Sequence, residues 1–243
     1  MADAPPLRAE RTGETVVLTF DRPGARNAIH RETMDAFESA ISVIEADTSV
    51  RAVVLTGAGD FFVSGGDVRE VTTLQEISRM RGLLARMEGL PVPVLAAVNG
   101  PAFGGGCEIL VACDLRIAEE QATLAWKQIA MALTPGWGGT ARLARLVGHG
   151  RATRLLLTGE TVNARGALAI GLVDEVVPEG ASLAAALDLA RRVGAFSAFA
   201  VRQAKRSLHG DEPRAFAAAW ESEDHREAVR AFVERRPAVW KGK

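Results

Sequence analysis

The sequence has few of the residues that build metal sites and disulfide frameworks. Its 243 residues include two cysteines and four histidines, and the histidines are scattered along the chain. Without a Cys/His cluster, no structural zinc site is expected. Cys107 and Cys113 both lie in an apolar stretch. This placement favours reduced core thiols in a cytosolic protein over a disulfide.

The chain also lacks an excess of charge of either sign. Lys and Arg number 29 against 30 Asp and Glu, which gives a net charge of −1. Because a dedicated nucleic-acid-binding protein depends on a strong basic field, the near-zero net charge argues against this class of protein. We expect no nucleic-acid partner.

A long uncharged stretch, residues 89–107, raises the question of a membrane span. Pro91, Pro93, Pro101 and a run of three glycines exclude a lipid-facing helix there. Residues 1–13 contain no apolar segment of the kind that a secretory signal requires. We therefore expect a cytoplasmic protein that does not act at a membrane.

Short apolar segments alternate with amphipathic ones in the first half of the chain. The predicted elements are strands at 15–20, 50–56, 93–98 and 114–118 and helices at 32–47, 74–87 and 108–112. This alternation predicts an α/β fold with largely parallel sheets. Helix formers dominate from 182 to 234, so we divide the chain into an α/β core, residues 1–190, and a C-terminal helical region, residues 191–243.

The glycine-rich segments of the core fail the common nucleotide and nucleophile motifs. Phe62 stands at the third glycine of a dinucleotide fingerprint that would begin at Gly57, and at the first glycine of a nucleophile elbow around Ser64. Neither glycine cluster continues into the Gly-Lys-Ser/Thr of a P-loop.

Two glycine-rich turns remain, residues 64–67 and 104–108, each after a predicted buried strand. Glycine lets the backbone approach a ligand closely, and the second turn opens a helix whose first N–H groups are unpaired. Two such donors converging on one point would form an oxyanion hole, with Glu108 beside it. The alternative is that both turns are simple chain reversals and Glu108 is an exposed first-turn acid.

The motifs in and around these turns strongly resemble the enoyl-CoA hydratase/isomerase, or crotonase, superfamily. The matching segments are residues 53–57, 62–67, 93–100, 104–108, 113–118, 135–140 and 231–237. The resemblance implies a crotonase-like spiral of ββα units with a C-terminal helical trimerisation region. It implies a homotrimer or a dimer of trimers, and an acyl-CoA thioester substrate with no further cofactor and no metal.

The resemblance also implies how the thioester is held. The backbone N–H groups of Ser64 and Gly105 match the family's two donors to the thioester oxygen, which stabilise an enolate. Losing one such donor typically costs about 3 to 4 kcal/mol. The loop that continues through Gly65, Gly66 and Asp67 would lie against the coenzyme A chain.

Two basic positions match phosphate contacts. Arg26 and, from a neighbouring subunit, Lys241 are positioned for the coenzyme A phosphates, with solvated surface charge as the alternative. Trp126 and Trp137 replace smaller residues of the family and would narrow the acyl pocket towards short or compact substrates. Packing in the core is the alternative for each tryptophan.

The mechanism depends on one departure from the family pattern. Family hydratases use two glutamates about twenty residues apart; Glu108 matches the first, but Gln128 occupies the second position. Glutamine can position water or a carbonyl, but it cannot exchange a proton. A simple double-bond isomerase is therefore disfavoured.

The preferred hypothesis is an enoyl-CoA hydratase, a lyase in which Glu108 is the only acid and base and Gln128 positions the reactants. A decarboxylase of malonyl-type thioesters is the alternative, because loss of carbon dioxide forms the enolate without a base. A third hypothesis is a weakly active or non-catalytic acyl-CoA-binding homologue.

Overall fold

The computed structural model describes residues 5–243. The strands are β1 Leu7–Thr12, β2 Thr15–Phe20, β3 Ala52–Gly57, β4 Val94–Val98, β5 Ala102–Phe103, β6 Leu115–Glu119, β7 Thr123–Ala125, β8 Val162–Asn163 and β9 Glu175–Val177. The α-helices are α1 Arg31–Ala46, α2 Leu74–Glu88, α3 Gly105–Leu110, α4 Gly139–Val147, α5 His149–Thr158, α6 Ala164–Ala169, α7 Ser182–Gly194, α8 Ala198–Leu208, α9 Glu212–Glu221 and α10 Glu223–Glu234. Short 3-10 helices span Pro23–Ala25 and Lys127–Met131.

The larger sheet has six strands in the order β1-β2-β3-β4-β6-β9. The β1–β2 hairpin is antiparallel, and every later pair in this sheet is parallel. The smaller sheet, β5-β7-β8, pairs β5 with β7 in parallel and β7 with β8 antiparallel. The α/β class with largely parallel sheets is confirmed.

Strand β3 shows how the larger sheet is covered. Val53 and Leu55 point into the main core, whereas Ala52 and Val54 point to the other face, against α7. Alternate side chains of a strand point to opposite faces, so a strand covered on both sides is apolar throughout. On α7 the buried residues are mostly small, which allows the helix to lie close to the sheet.

Helix α7 continues past residue 190, so the predicted division of the chain falls inside this helix, which packs on the sheet. Residues 195–197 connect α7 to α8. Lys205 of α8 returns to the core, where its Nζ donates to Val92 O at 2.9 Å and pairs with Asp114 at 2.7 Å. Among the described residues, no helix combines the length and apolar character needed to cross a bilayer.

All seven predicted elements of the first half are present, with ends shifted by at most three residues. Strand β1 was not predicted, because its sequence, LRAERT, is polar. It lies at the edge of the sheet, where most of its side chains face solvent. The strands of the smaller sheet are only two or three residues long, too short for a periodic pattern.

Candidate active site

The two glycine-rich turns lie side by side because β3 and β4 are parallel neighbours. The carboxyl ends of both strands meet at one edge of the sheet, where open α/β sheets bind ligands. The Phe103 N–H donates to Val63 O at 3.0 Å, which joins the two segments directly. A Cβ at Gly106 would lie 1.9 Å from that same carbonyl oxygen, so only glycine fits there.

Glu108 is a buried acidic residue at this edge of the sheet. It lies in the first turn of α3, and only 2% of its surface is exposed, so it is not a solvated first-turn acid. Its Oε1 accepts from Gln128 Nε2 and from the Gly136 N–H, both at 3.1 Å. Its Oε2 accepts from the N–H groups of Trp137, at 2.7 Å, and Gly139, at 2.8 Å.

Three of these donors belong to one turn, residues 136–139, which wraps around the carboxylate. Gly138 has φ +92°, a left-handed conformation that favours glycine. At Gly139 a Cβ would lie 2.5 Å from Glu108 Cγ. The glycines of this turn therefore allow the backbone to reach the carboxyl group.

An ion pair between buried Arg142 and half-buried Glu88 contacts this turn. Arg142 NH1 donates to the Trp137 carbonyl at 3.1 Å, and its Nε and NH2 reach one oxygen of Glu88, at 2.8 and 2.7 Å. Arg145 pairs with the other Glu88 oxygen at 2.6 Å. Although burial alone would raise the pKa of Glu88, the hydrogen bonds from the two arginines hold it below its ordinary value.

Burial raises the pKa of Glu108 above its ordinary value of 4.5, against the four hydrogen bonds that favour the charged form. A carboxylate whose pKa is raised is a stronger base than an ordinary one, which suits a group that removes a proton. Gln128 donates to it, but the Gln128 carbonyl oxygen is buried without a hydrogen-bond partner among the described residues. That oxygen is an acceptor that the described residues leave unused.

The donors to an oxyanion differ from the prediction at one position. The Ser64 N–H donates to Arg26 O at 3.1 Å and is therefore engaged within the protein. Gly66 and Gly105, by contrast, have N–H groups with no acceptor in the part of the chain that the structure describes. Both glycines line one cleft with Glu108, and both face the indole of Trp137: added Cβ atoms would lie 3.3 and 2.2 Å from its six-membered ring.

The cleft has a volume of about 440 Å³. Trp137 forms part of its wall and is 3% exposed, whereas Trp126 lies in the core at 1% and does not line the cleft. The prediction for Trp126 is wrong: its side chain packs inwards after β7, the alternative that the sequence left open. Apolar side chains form much of the remaining wall: Val68, Val71, Leu74, Ile77, Met131 and Leu133.

The residues predicted to contact coenzyme A lie in different surroundings. Asp67 pairs with Arg22 at 3.2 Å; burial alone would raise its pKa, but hydrogen bonds from the Arg69 N–H and Arg22 lower it. Arg26 is exposed and stacks on Phe61, its guanidinium carbon 5.4 Å from the ring centre. Lys241 lies in the C-terminal tail, where it pairs with Glu223 at 3.1 Å and lines no part of the cleft.

Sequence reasoning named Glu108, Gln128 and Gly105, and it placed Gly66 against the coenzyme A chain, but it did not predict Gly66, Gly136 or Gly139 as hydrogen-bond donors. The signal for the last two was the glycine-rich segment 135–140, which matched the family motif without a role. Within residues 5–243, no three His, Cys, Asp or Glu side chains are grouped as metal ligands would be.

Comparison with known proteins agrees with this geometry. A family model for enoyl-CoA hydratase/isomerase matches residues 10–243. A short-chain-enoyl-CoA hydratase of Clostridium acetobutylicum is 38% identical over 245 residues, covering 93% of this chain and 94% of that protein. A 2,3-dehydroadipyl-CoA hydratase of Escherichia coli K12 is 32% identical over 252 residues, covering 98% and 99%. A crystal structure of an enoyl-CoA hydratase from Bacillus anthracis superposes with a TM-score of 0.93 at 32% identity, covering 98% and 100% of the two chains. This chain therefore belongs to the enoyl-CoA hydratase/isomerase, or crotonase, superfamily.

Proposed function

We propose that the protein is an enoyl-CoA hydratase that adds water to a short acyl-CoA through a thioester enolate. The observation that carries this proposal is the position of Glu108, a buried carboxyl group in the same cleft as two glycine N–H groups without acceptors. Relatives named as hydratases of short or dicarboxylic enoyl-CoA thioesters support the reaction class.

The N–H groups of Gly66 and Gly105 bind the thioester oxygen in this mechanism, so Gly66 replaces Ser64 as the second donor. The Glu108 carboxylate takes a proton from water as the water oxygen bonds to C3 of the substrate. The electron pair of the C2–C3 double bond forms a C1–C2 double bond while the carbonyl π pair moves onto the thioester oxygen, and the resulting enolate is stabilised by the two donors. Glu108 then returns its proton to C2, which completes the hydration.

Because Gln128 cannot exchange a proton, Glu108 is the only acid and base in this mechanism. Its Nε2 fixes Oε1 of Glu108, and its carbonyl oxygen, which lacks a partner, accepts the second hydrogen of the attacking water. This arrangement satisfies a buried acceptor that otherwise costs free energy. Gln128 is thus a positioning residue, and Glu108 both removes and returns the proton.

Substrate placement follows from the walls of the cleft. The loop of Gly65, Gly66 and Asp67 lies along the coenzyme A chain, and Arg26 on the neighbouring surface contacts its phosphates. The Trp137 indole, against both oxyanion glycines, restricts the acyl group to compact chains. Coenzyme A enters only as part of the substrate.

A mass-spectrometric turnover screen tests the proposal. Purified protein is incubated with crotonyl-CoA and a branched short enoyl-CoA, and in parallel with malonyl-, methylmalonyl- and ethylmalonyl-CoA. Gain of water by the first set is the expected result. Loss of carbon dioxide from the second set would replace the hydratase by a decarboxylase, and binding without turnover of either set would leave a non-catalytic acyl-CoA-binding protein.

We also propose that the chain assembles as a homotrimer or a dimer of trimers through its C-terminal helices. Large apolar side chains on α9 and α10 face solvent in the single chain: Phe216, Trp220, Val229, Phe232 and Val233. Exposed apolar patches of this kind mark interfaces between proteins. Light scattering should give three or six times the 25.8 kDa of the chain, and a monomer would contradict the proposal.

A cytoplasmic location is the remaining part of the proposal. Cys107 and Cys113 are free, buried thiols, and burial raises the pKa of Cys113 to about 12. Such inert thiols suit a reducing compartment. Fractionation of the producing cells, followed by immunodetection, tests this location.

A further inference from the structure

The far end of the acyl group has no assigned partner in the mechanism above. The charged side chains that line the cleft are Arg81, Glu108 and Lys127. We infer that Arg81 binds a carboxylate at the end of the acyl chain, so that the substrates include short enoyl-CoA thioesters whose acyl group ends in a carboxylate. This inference rests on the proposed function and names its substrate class.

Arg81 differs from the other arginines of α2. Arg79 and Arg86 are paired with carboxylates of α1 at 2.5 to 2.7 Å. Arg81 donates its Nε to the Gly136 carbonyl at 3.0 Å, and no carboxylate of the described chain lies within 4.0 Å of it. Its two terminal nitrogens are therefore available to a ligand, while its Nε keeps the side chain at the cleft.

The position of Arg81 fits the end of an acyl chain. Gly136, whose carbonyl accepts from Arg81, donates its own N–H to Glu108. This connection places Arg81 Nε no more than about 10 Å from the Glu108 carboxylate. With the thioester oxygen at the two glycines and C2–C3 at Glu108, the chain beyond C3 continues along the 136–139 turn, where Arg81 Cγ lies 3.8 Å from a Cβ built on Gly138.

Lys127, the other basic side chain that lines the cleft, is less available to a ligand than Arg81. Lys127 Nζ donates to Gly159 O at 2.7 Å and to Thr161 Oγ1 at 3.2 Å, so the protein already uses most of its donors. A guanidinium group, in contrast, can bind a carboxylate through two parallel charge-assisted hydrogen bonds. A purely aliphatic chain would offer the guanidinium group of Arg81 no acceptor.

A binding experiment isolates the terminal carboxylate. Hexanoyl-CoA and adipyl-CoA have equal carbon chains and are saturated, so they differ at the remote end and do not react. Calorimetry should show adipyl-CoA binding about tenfold more tightly than hexanoyl-CoA, the size of one charge-assisted hydrogen bond at a partly solvated site. Arg81→Leu should remove this preference, and Arg81→Lys should restore part of it.

Arg79→Leu is the matched control, because Arg79 lies on the same helix and is occupied by α1; it should keep the preference. Equal affinities in the unsubstituted protein, or a preference that survives Arg81→Leu, would overturn the inference. An equal loss for both ligands in Arg81→Leu would also overturn it, since Arg81 would then contact the coenzyme A phosphates common to both.

Turnover separates this inference from the proposed function. Hydration of crotonyl-CoA and of 2,3-dehydroadipyl-CoA is measured with the same variants, and Arg81→Leu should lower kcat/KM about tenfold more for the second substrate than for the first. If neither substrate is hydrated, the proposed function fails while calorimetry still reports on Arg81. If crotonyl-CoA is hydrated and the two ligands bind equally, the inference fails alone.

Discussion

Two buried carboxylates, in two regions of the molecule, differ in their tendency to ionise. Glu108 in the core and Asp224 in the C-terminal region are each 2% exposed, and each lies in the first turn of a helix. Asp224 accepts from the Ser197 hydroxyl and from the N–H groups of Lys241, at 2.7 Å, and Gly242, at 3.0 Å. Both groups are therefore amply hydrogen-bonded.

Their pKa values nevertheless shift in opposite directions. Burial raises the pKa of Glu108, whereas for Asp224 burial alone would raise the pKa but is outweighed by its hydrogen bonds and by the charge of Arg51, so the value is lowered. Asp224 is covered by its own chain's tail, and Glu108 by the protein core and the cleft wall. The number of hydrogen bonds therefore does not decide the direction of the shift: Glu108 accepts four and its pKa is raised, whereas Asp224 accepts three and its pKa is lowered.

Among the tests of this contrast, Glu108→Gln is expected to have the largest effect on activity. We expect a loss of about 10³-fold or more in kcat for crotonyl-CoA, because one group both removes and returns the proton. Circular dichroism should show an intact fold. Glu120→Gln, at an exposed ion pair with Arg165, is the matched control and should keep full activity. Unchanged turnover in Glu108→Gln would remove its role as acid and base.

Gly105→Ala tests the close packing between Gly105 and Trp137 in the cleft that holds Glu108. The new Cβ would lie 2.2 Å from Trp137 Cζ3, so the indole or the donor turn must move, and we expect a loss of about 10²-fold in kcat/KM. Gly150→Ala, with open space around the new methyl group, should change little. Adding Trp137→Ala to Gly105→Ala should recover part of the activity; a double variant no better than the single one would show that the clash is not the cause.

The sequence predicted the parts of the site that local chemistry fixes. Glycines next to Glu108, together with the family resemblance, were enough to place Glu108 and Gln128 in the candidate site, where the structure brings them into contact. They could not show that the Ser64 N–H is engaged by Arg26, because that bond joins residues 38 positions apart, in different segments. The same holds for Trp126, where a large aromatic near the site gave no sign of which way its side chain points.

A smaller effect on activity is expected from replacing Arg142, whose side chain donates to the turn that supplies three donors to Glu108. Arg142→Met leaves Glu88 partly buried with one arginine partner, and should lower the free energy of unfolding by about 2 to 4 kcal/mol. If the turn loosens, its hydrogen bonds weaken and the pKa of Glu108 rises further. The acid limb of the kcat/KM profile should then move to higher pH, because the ionised form starts the reaction.

Arg145→Met, at the exposed partner of Glu88, is the control for Arg142, and should shift neither the pH profile nor, by more than about 1 kcal/mol, the stability. A loss of stability without a moved acid limb in Arg142→Met would make Arg142 a structural residue only. Arg142→Lys should restore part of both properties, since it keeps the charge but not the two-nitrogen contact.

The smallest effect is expected at the other carboxylate. Asp224→Asn replaces one acceptor oxygen by a donor, and should cost about 1 to 2 kcal/mol at pH 7, with activity retained. Because the folded-state pKa of Asp224 lies below 3.8, its contribution is fully present above that ordinary value and is lost as the pH falls through the folded-state pKa. Urea unfolding should therefore show a difference between the two proteins at pH 7 that shrinks in acid. Asp188 forms an exposed ion pair on α7, so Asp188→Asn should not change the free energy of unfolding at either pH. If the loss of stability in Asp224→Asn is the same at pH 7 and in acid, the charge of Asp224 does not stabilise the tail.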